Sequence, residues 1–218
     1  VGDSDRPIEG RYVVFDLETT GLNRQSDRII EIGAVLVENG EILEEFDTYV
    51  NPQRSLPEKI TDLTGIEESM LTDAPLEKEA LEEFFKFCGE DPIFIAHNAP
   101  FDVGFLEAAA ARQGRELHCT YLDTVPLCRK LLPKLRRVKL NLVAEHLKLG
   151  PFQHHRGSED AMILAEIWLK LSKMLVEQHH LSKFSEITPA FRETEQLPYE
   201  EQLKKLRPYH QIILVQNS

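Results

Sequence analysis

Three apolar runs rich in β-branched and aromatic residues lie in the first quarter of the chain and predict β-strands. They cover residues 12–17, 28–38 and 41–50. The second and third runs are separated by Asn39 and Gly40, a pair that is typical of a tight β-hairpin turn. We therefore expect the fold to begin with three consecutive antiparallel strands.

Beyond residue 50, apolar positions recur mostly at helical spacing, with two short apolar runs that suit buried strands. Pro57, Gly65 and Pro75 interrupt the intervening stretch, which should form only short helical turns. The predicted helices cover residues 76–87, 99–113, 124–132, 141–149 and 158–177. The predicted strands cover residues 92–96 and 120–123. Ser158 is the expected N-cap of the last helix. This succession predicts an α/β fold in which a sheet of mixed strand direction carries helices on both faces.

The composition is that of a globular protein, since 42% of the 218 residues are hydrophobic and 28% are charged. This length suits one domain with an appendage. The sequence contains no run of 18 apolar residues, so no membrane partner is expected. Its three cysteines lack metal-site spacing, which favours reduced thiols and a cytoplasmic location. The first residue is Val1 rather than Met, which is compatible with a piece of a longer protein.

The formal net charge of −12 argues against non-specific wrapping of nucleic acid. It leaves open an active site that handles nucleic acid through bound metal ions. One stretch, called here the basic segment, runs from residue 129 to residue 139 against the acidic trend. Its cationic residues are Arg129, Lys130, Lys134, Arg136, Arg137 and Lys139. A solvated basic face and a nucleic-acid contact are both open interpretations of this segment.

Asp16 and Glu18 stand at the end of the first predicted strand, where alternate side chains share a face about 7 Å apart. Two adjacent carboxylates repel each other and raise each other's pKa. A divalent cation between them would remove that repulsion, so the pair is a candidate metal site. The alternative is a pair of acids that are simply solvated at a strand end.

Asp102 and Asp160 share another pattern, because each stands in the first turn of a predicted helix and leads an apolar stripe. The stripe that follows Asp102 consists of Phe105, Leu106 and Ala109. The stripe that follows Asp160 consists of Ile163, Leu164, Ile167, Leu171 and Met174. Both carboxylates should therefore point inward at a helix end rather than into bulk water. The alternative is that each Asp only complements the helix dipole.

Three short motifs carry a family resemblance. They are Asp16-Leu-Glu-Thr-Thr-Gly21, His97-Asn-Ala-Pro-Phe-Asp102 and His155-Arg-Gly-Ser-Glu-Asp160. In this order they resemble the three exonuclease motifs of the DEDD superfamily, whose members are 3′→5′ exonucleases on a ribonuclease-H-like fold. The resemblance covers about residues 10 to 178. A histidine five residues before the last Asp marks the histidine branch of the superfamily (DEDDh), which this chain resembles.

The resemblance implies phosphodiester hydrolysis assisted by two divalent cations, Mg²⁺ or also Mn²⁺. Asp16 would bridge both cations. Glu18 and Asp160 would complete the first metal site, and Asp102 would support the second. The same four acids are therefore the catalytic and the metal-binding carboxylates that the resemblance implies.

His155 would deprotonate the attacking water, a task that suits a group titrating near neutral pH. Its neighbour His154 is a rival for this role. The five-residue spacing to Asp160 favours His155. We therefore expect His155 to be the fifth catalytic residue.

Five further residues match positions that grip the terminal nucleotide in the family. They are Thr19, Thr20, Leu22, Asn98 and Phe101. For Leu22 and Phe101, a plain core role stays equally open. His97 is expected to be a structural histidine rather than a ligand. The basic segment, which lies between the second and third motifs, would line the path of the incoming strand.

Within the superfamily, the chain most resembles the proofreading exonuclease of the Gram-positive (PolC) type of replicative DNA polymerase III α subunit, including residues 55–66 and 206–215. This likeness implies trimming of mispaired DNA 3′ ends, with release of nucleoside 5′-monophosphates. The expected partners are a single-stranded or frayed DNA 3′ end and the remaining domains of a replicative polymerase. Two alternatives stay open. One is a free-standing exonuclease acting on RNA ends or short oligonucleotides, and the other is a non-catalytic docking module of a replication assembly.

The motifs also suggest a domain organisation. Residues 1–9 are expected to form a flexible lead, residues 10–182 the exonuclease domain, and residues 183–218 a C-terminal extension. The apolar run Ile212–Val215 in this extension has strand propensity. Either this run pairs with a sheet inside the same domain or, as the resemblance to the large polymerase implies, it is the strand by which the chain re-enters a neighbouring polymerase domain.

Overall fold

The computed structural model describes residues 5–150 and 156–192, and these residues contain a five-stranded sheet. The strands are β1 (Tyr12–Thr19), β2 (Ile29–Glu38), β3 (Glu41–Tyr49), β4 (Ile93–Ala96) and β5 (Thr120–Asp123). Their order across the sheet is β3-β2-β1-β4-β5. β1, β2 and β3 pair in antiparallel fashion, whereas β4 pairs parallel to β1 and β5 parallel to β4. The predicted mixed sheet, which begins with three antiparallel strands, is confirmed.

Helices cover both faces of this sheet, as the sequence predicts. They are α1 (Glu58–Thr64), α2 (Glu68–Leu71), α3 (Glu77–Cys88), α4 (Ala99–Arg112), α5 (Thr124–Leu131), α6 (Leu140–His146), α7 (Gly157–Glu177) and α8 (Ile187–Arg192). α3 and α4 pack on one face, while α5, α6 and α7 pack on the other. None of the helices in the described ranges combines the length and the apolar character that crossing a bilayer requires.

β1 lies at the centre of the sheet, and its alternating side chains serve both layers of helices. Tyr12 and Val14 are fully buried on the α7 side, where the Tyr12 ring meets the edge of Trp168 at a centroid distance of 5.2 Å. Phe15 faces the opposite layer, with its ring centroid 6.0 Å from that of Phe84. A strand packed on both faces is a rigid support for the carboxylates at its C-terminal end.

The start of α7 differs from the prediction. Ser158 is not the N-cap, because the helix begins at Gly157 and the cap position belongs to Arg156, whose side chain makes no capping hydrogen bond. The N–H of Gly157 donates instead to Oε2 of Glu31, 3.0 Å away on β2. A carboxylate from a distant strand thus satisfies one of the donors that a local cap would satisfy.

β3 forms one outer edge of the sheet and carries exposed acids along it. They are Glu41, Glu44, Glu45 and Asp47. Charged side chains on an edge strand discourage pairing with strands of other molecules. This edge is therefore both hydrophilic and strongly negative.

Residues on the outer side of both predicted borders, 10 and 182, pack against the core of the nuclease unit. Ile8, Phe184 and Ile187 are buried in the same core as β1. The N–H of Ile8 donates to the Ser182 carbonyl at 3.0 Å, and the N–H of Phe184 donates to the Arg6 carbonyl at 2.8 Å. Residues 6 and 8 are therefore hydrogen-bonded to the segment around residues 182–184, and Ile8 belongs to the core. We propose that the unit extends from about residue 5 to residue 192. The predicted strand Ile212–Val215 lies outside the described residues.

Truncation tests this proposed border. A chain ending at residue 182 loses Phe184 and Ile187, and full burial of such a side chain contributes about 1.5–3 kcal/mol. We expect its urea midpoint to fall clearly below that of the full chain. A chain ending at residue 192 keeps both side chains and serves as the control, with an unchanged midpoint. Equal midpoints for the two truncations would place the border at 182 after all.

Candidate active site

The site is built at the C-terminal end of β1, where Asp16 and Glu18 share a face. Asp102 comes from the first turn of α4 and is 4% exposed. Its Oδ1 accepts a hydrogen bond from the Leu17 N–H at 3.0 Å, which joins the helix start to β1. Asp160, in the first turn of α7, is 3% exposed. Both helix-borne acids therefore point inward, as their apolar stripes predict.

Three of these four carboxylates form a tight group. Asp16, Glu18 and Asp160 each place an oxygen so that the three atoms lie within 4.8 Å of one another. Asp102 is outside this trio but lines the same cleft, whose volume is about 640 Å³. The other residues lining the cleft are Leu17, Leu22, His97, Asn98, Phe101, Lys139, Leu140 and Asn141. The structure thus brings all four predicted acids to one cavity.

Burial and mutual repulsion raise the pKa of three of these acids, Asp16, Glu18 and Asp102. For Asp16, removal from water is the largest cause, followed by repulsion from Asp102 and Glu18, and the pKa lies well above its ordinary value. Burial, then repulsion from Asp160, raises the pKa of Glu18 to about 8. Burial raises the pKa of Asp102 to about 8, although the Leu17 N–H works in the opposite direction. Without a cation, the cluster binds protons that carboxylates usually release.

This raised pKa predicts how stability depends on pH and on metal. A folded pKa above the unfolded value means that the folded state binds more protons between the two values. The metal-free protein should therefore lose stability as the pH rises from about 4 to about 8. Mg²⁺ or Mn²⁺ should restore it, by about 2.7 kcal/mol at 100 times Kd.

Thermal unfolding in EDTA and in Mn²⁺, at pH 5 and at pH 8, measures both effects. Asp16→Asn serves as the matched variant, in which the pH effect should shrink because one member of the cluster no longer ionises. A Tm that does not fall with pH in EDTA, or that ignores Mn²⁺ at pH 8, would contradict the assignment of a metal site.

Leu22 and Phe101 form the apolar wall of the cleft. Leu22 is 87% exposed, so the alternative of a core role for this residue is wrong. Phe101 is half-buried, with its ring centroid 4.9 Å from that of Phe105 in the core, and its remaining surface faces the cleft. Asn98 is exposed at the cleft with a positive φ of 70°, a conformation that Asn tolerates better than most residues.

Thr19 and Thr20 stand beside the cleft, and their hydroxyls are engaged in the adjoining loop. The Thr19 hydroxyl donates to the Gly21 carbonyl at 2.6 Å. The Thr20 hydroxyl donates to Asp27 Oδ1 at 3.2 Å and accepts from the Arg28 N–H at 3.0 Å. These bonds shape the loop that presents Leu22, so the two threonines act on the cleft through the backbone.

His97 has partners on both ring nitrogens, which suits the expected structural role. Its Nδ1 lies 2.8 Å from the Thr124 hydroxyl, and its Nε2 lies 2.6 Å from the Val138 carbonyl, to which it donates. This contact fixes the end of the basic segment, where Lys139 lines the cleft. Three other basic residues of the segment, Lys134, Arg136 and Arg137, line a separate cavity. The sequence did not indicate the cleft residues Leu140 and Asn141.

His155 and its rival His154 lie outside the described residues. The described chain resumes at Arg156, immediately before α7. Sequence reasoning also missed Glu31, which is 0% exposed and lies opposite Glu18 in the β1–β2 register. The available signal was a single acid within the apolar run of β2. An acid that has no oppositely charged residue near it in such a run indicates a buried partner from elsewhere in the chain.

The sequence was compared with known families and proteins. The sequence model of the exonuclease family (RNase_T) matches residues 13–168, well over half of the chain. The chain belongs to the exonuclease family. This exonuclease is 43% identical over 217 residues to the DNA polymerase III PolC-type of Caldanaerobacter subterraneus subsp. tengcongensis, and 41% identical over 219 residues to that of Clostridium perfringens. Each match covers 100% of this chain and 15% of the relative, so the chain spans about 15% of the length of these relatives.

Solved structures of exonucleases share the fold. Exonuclease X in complex with 5′ overhanging duplex DNA has a TM-score of 0.62 and 26% identity, covering 77% of this chain and 93% of that chain. The nuclease domain of 3′hExo, a DEDDh family member bound to rAMP, has a TM-score of 0.66 and 19% identity. This match covers 76% of this chain and 92% of that chain. At 19% identity the likeness shows the fold alone. The expected ribonuclease-H-like fold is confirmed, and so is the expected resemblance to exonucleases and to DNA polymerase III of the PolC type.

Proposed function

We propose that this exonuclease is a metal-dependent 3′→5′ enzyme that hydrolyses the phosphodiester bond at DNA 3′ ends and releases nucleoside 5′-monophosphates. The observation that carries this proposal is the trio of Asp16, Glu18 and Asp160, whose oxygens lie within 4.8 Å of one another in a cleft. Mutual repulsion between these carboxylates lowers the stability of the fold, and a module with a purely structural role would gain nothing from it. The intact cluster therefore counts against the alternative of a non-catalytic docking module.

The donor set fits hard divalent cations. All four side chains offer carboxylate oxygens, which Mg²⁺ and Mn²⁺ prefer. The raised pKa values of Asp16, Glu18 and Asp102 support a site that favours positive charge. Asp16, Glu18 and Asp160 would hold one cation, and Asp16 with Asp102 would hold the second. When bound, two cations supply positive charge that stabilises the phosphodiester oxygens during cleavage.

The chain's own residues bind and orient the terminal nucleotide in this proposal. Leu22 and Phe101 offer apolar surface on which the last base packs. Asn98 offers a side-chain amide at the mouth of the cleft. His155 takes the proton of the attacking water. Lys139 lies where it attracts the phosphates of the incoming strand.

A role in replication proofreading rests on the relatives. They are DNA polymerase III proteins of the PolC type, of which this chain matches 15%. We propose that the exonuclease works with the remaining domains of such a polymerase, in the cytoplasm, on single-stranded or frayed 3′ ends. The free cysteines agree with a reducing compartment.

An assay with 5′-labelled DNA and RNA oligonucleotides of one sequence tests the proposal. We expect products that shorten from the 3′ end in Mg²⁺ or Mn²⁺, faster on DNA and on a mispaired terminus, and no products in EDTA. Faster cleavage of RNA would favour the alternative enzyme that acts on RNA ends. No cleavage of either substrate would favour the docking module.

A further inference from the structure

The start of α7 is held very close to the sheet. A Cβ added to Gly33 of β2 would come within 2.1 Å of the Gly157 backbone, so only a glycine fits at this contact. Gly33 lies opposite Asp16 in the β1–β2 register. Because interiors are densely packed, any shift of the helix here moves the first turn that carries Asp160. The distance between α7 and β2 therefore sets the geometry of the acid cluster.

Polar side chains of β2 and β3 receive this helix start. Glu31 accepts from the Gly157 N–H at 3.0 Å. Arg156 places Nε 3.7 Å from Glu31 Oε1 and donates from Nη2 to the Tyr49 hydroxyl at 2.6 Å. Its guanidinium also lies 5.7 Å from the centroid of the Tyr49 ring. Two strands thus hold two consecutive residues at the helix N-terminus.

The link from this contact to the cluster is short. The Arg156 carbonyl accepts the hydrogen bond of the Asp160 N–H at 2.8 Å, which closes the first turn of α7. On the other side, Glu31 stands opposite Glu18 across the β1–β2 pair. The pair of Glu31 and Arg156 therefore touches both elements whose carboxylates meet in the trio.

This pair is poorly suited to contribute stability alone. Among the described residues, Glu31 Oε1 and Arg156 Nε are the buried side-chain polar atoms without a hydrogen-bond partner. Burying such atoms costs free energy, and a buried ion pair at 3.7 Å gives back little of it. The pair of Glu31 and Arg156 is therefore better explained by a role in orienting α7 than by a contribution to the stability of the fold.

We propose that Arg156, held by Glu31 and Tyr49, is a positioning residue that sets the Asp160 carboxylate against Asp16 and Glu18. The proposal rests on the proposed function, because the reaction it serves is the hydrolysis described above. In this role Arg156 acts through the helix start, and it is not among the residues that line the cleft. Residues that orient metal-binding side chains in this way are typically worth about 10–100-fold in metal affinity or activity.

The test compares Arg156→Gln with Arg112→Gln. Arg112 forms a comparable, mostly buried pair with Glu77 at 2.7 Å, in the last turn of α4, whereas Asp102 stands in the first turn. The Arg112 Nη1 also donates to the Arg24 carbonyl at 3.2 Å. We expect Arg156→Gln to lower kcat about 10–100-fold with KM for the oligonucleotide little changed, and to weaken Mn²⁺ binding measured by electron paramagnetic resonance. Arg112→Gln should lower Tm and leave kcat and Mn²⁺ affinity as they were.

Two further variants sharpen the comparison. Glu31→Gln keeps an acceptor for Gly157 but removes the first of the negative charges that act on Arg156, the others being Asp47 and Glu159. It should therefore reproduce most of the Arg156→Gln defect. Because Glu31 and Arg156 act as a unit, the double variant should be no worse than Arg156→Gln alone. Arg156→Lys keeps the positive charge but lacks the planar guanidinium group with its several N–H donors. Its kcat should therefore lie between those of Arg156→Gln and the wild type.

An Arg156→Gln variant with lower Tm but normal kcat and Mn²⁺ affinity would overturn the proposal and make the contact structural only. A wild-type chain that binds Mn²⁺ but hydrolyses neither DNA nor RNA would refute the proposed function. In that case the Mn²⁺ titration of the variants still decides whether Arg156 positions the cluster.

Discussion

Asp16→Asn is expected to abolish hydrolysis while the protein stays folded. The substitution changes almost no volume, yet it removes a carboxylate that feels the charges of both Asp102 and Glu18 and that would serve both cations. A bound cation contributes several kcal/mol to a reaction of this kind. Since each 1.36 kcal/mol is a factor of ten, we expect kcat to fall by about 10³-fold or more.

Cleavage of a labelled oligonucleotide in Mg²⁺ gives kcat, and thermal unfolding in EDTA gives the stability. The Tm of Asp16→Asn in EDTA should equal or exceed that of the wild type, because repulsion in the cluster is relieved. Asp73→Asn, an exposed acid remote from the cleft, is the matched control and should leave both quantities unchanged. An Asp16→Asn enzyme with near-native turnover would end the two-cation assignment.

His155→Ala is expected to lower kcat by about 10²–10⁴-fold, the usual contribution of a general base. Metal binding should be retained, because the four carboxylates are untouched. At saturating Mg²⁺, the part of the fall of kcat toward acidic pH that comes from protonation of this base should disappear from the pH profile. Steady-state rates between pH 5 and pH 9 measure both effects.

His154→Ala is the natural control for this experiment. It removes the same imidazole one residue earlier, where the spacing to Asp160 is six rather than five. We expect a much smaller change in kcat. The larger defect in His154→Ala would transfer the role of general base to that residue.

The sequence predicted the parts of the fold that are encoded locally. Alternation in β1 gave the shared face of Asp16 and Glu18, and the Asn39–Gly40 turn gave the antiparallel β2–β3 hairpin. The apolar stripes behind Asp102 and Asp160 predicted that both carboxylates point inward. Each of these signals lies within a few residues of the feature that it predicts.

Features that depend on partners far away in the chain were missed. The carboxylate that accepts the Gly157 N–H at the start of α7 belongs to Glu31, 126 positions earlier in the chain. No sequence pattern around Ser158 could reveal this contact. Phe184 was assigned to an extension because its packing partner Tyr12 lies at the other end of the chain, at a ring distance of 6.0 Å. Tertiary contacts of this kind override local propensity.

The acids along the outer edge of β3 also affect how a polyanion reaches the cleft. β3 and β5 are opposite edges of the sheet, and the basic segment follows β5 along the chain and ends with Lys139 at the cleft. A phosphate chain is therefore repelled along one flank and attracted along the other, so that diffusional encounters are biased toward one direction of entry. Because these charges are exposed, the bias is a matter of association rate and fades as salt shortens the range of the field, which is about 8 Å at physiological ionic strength.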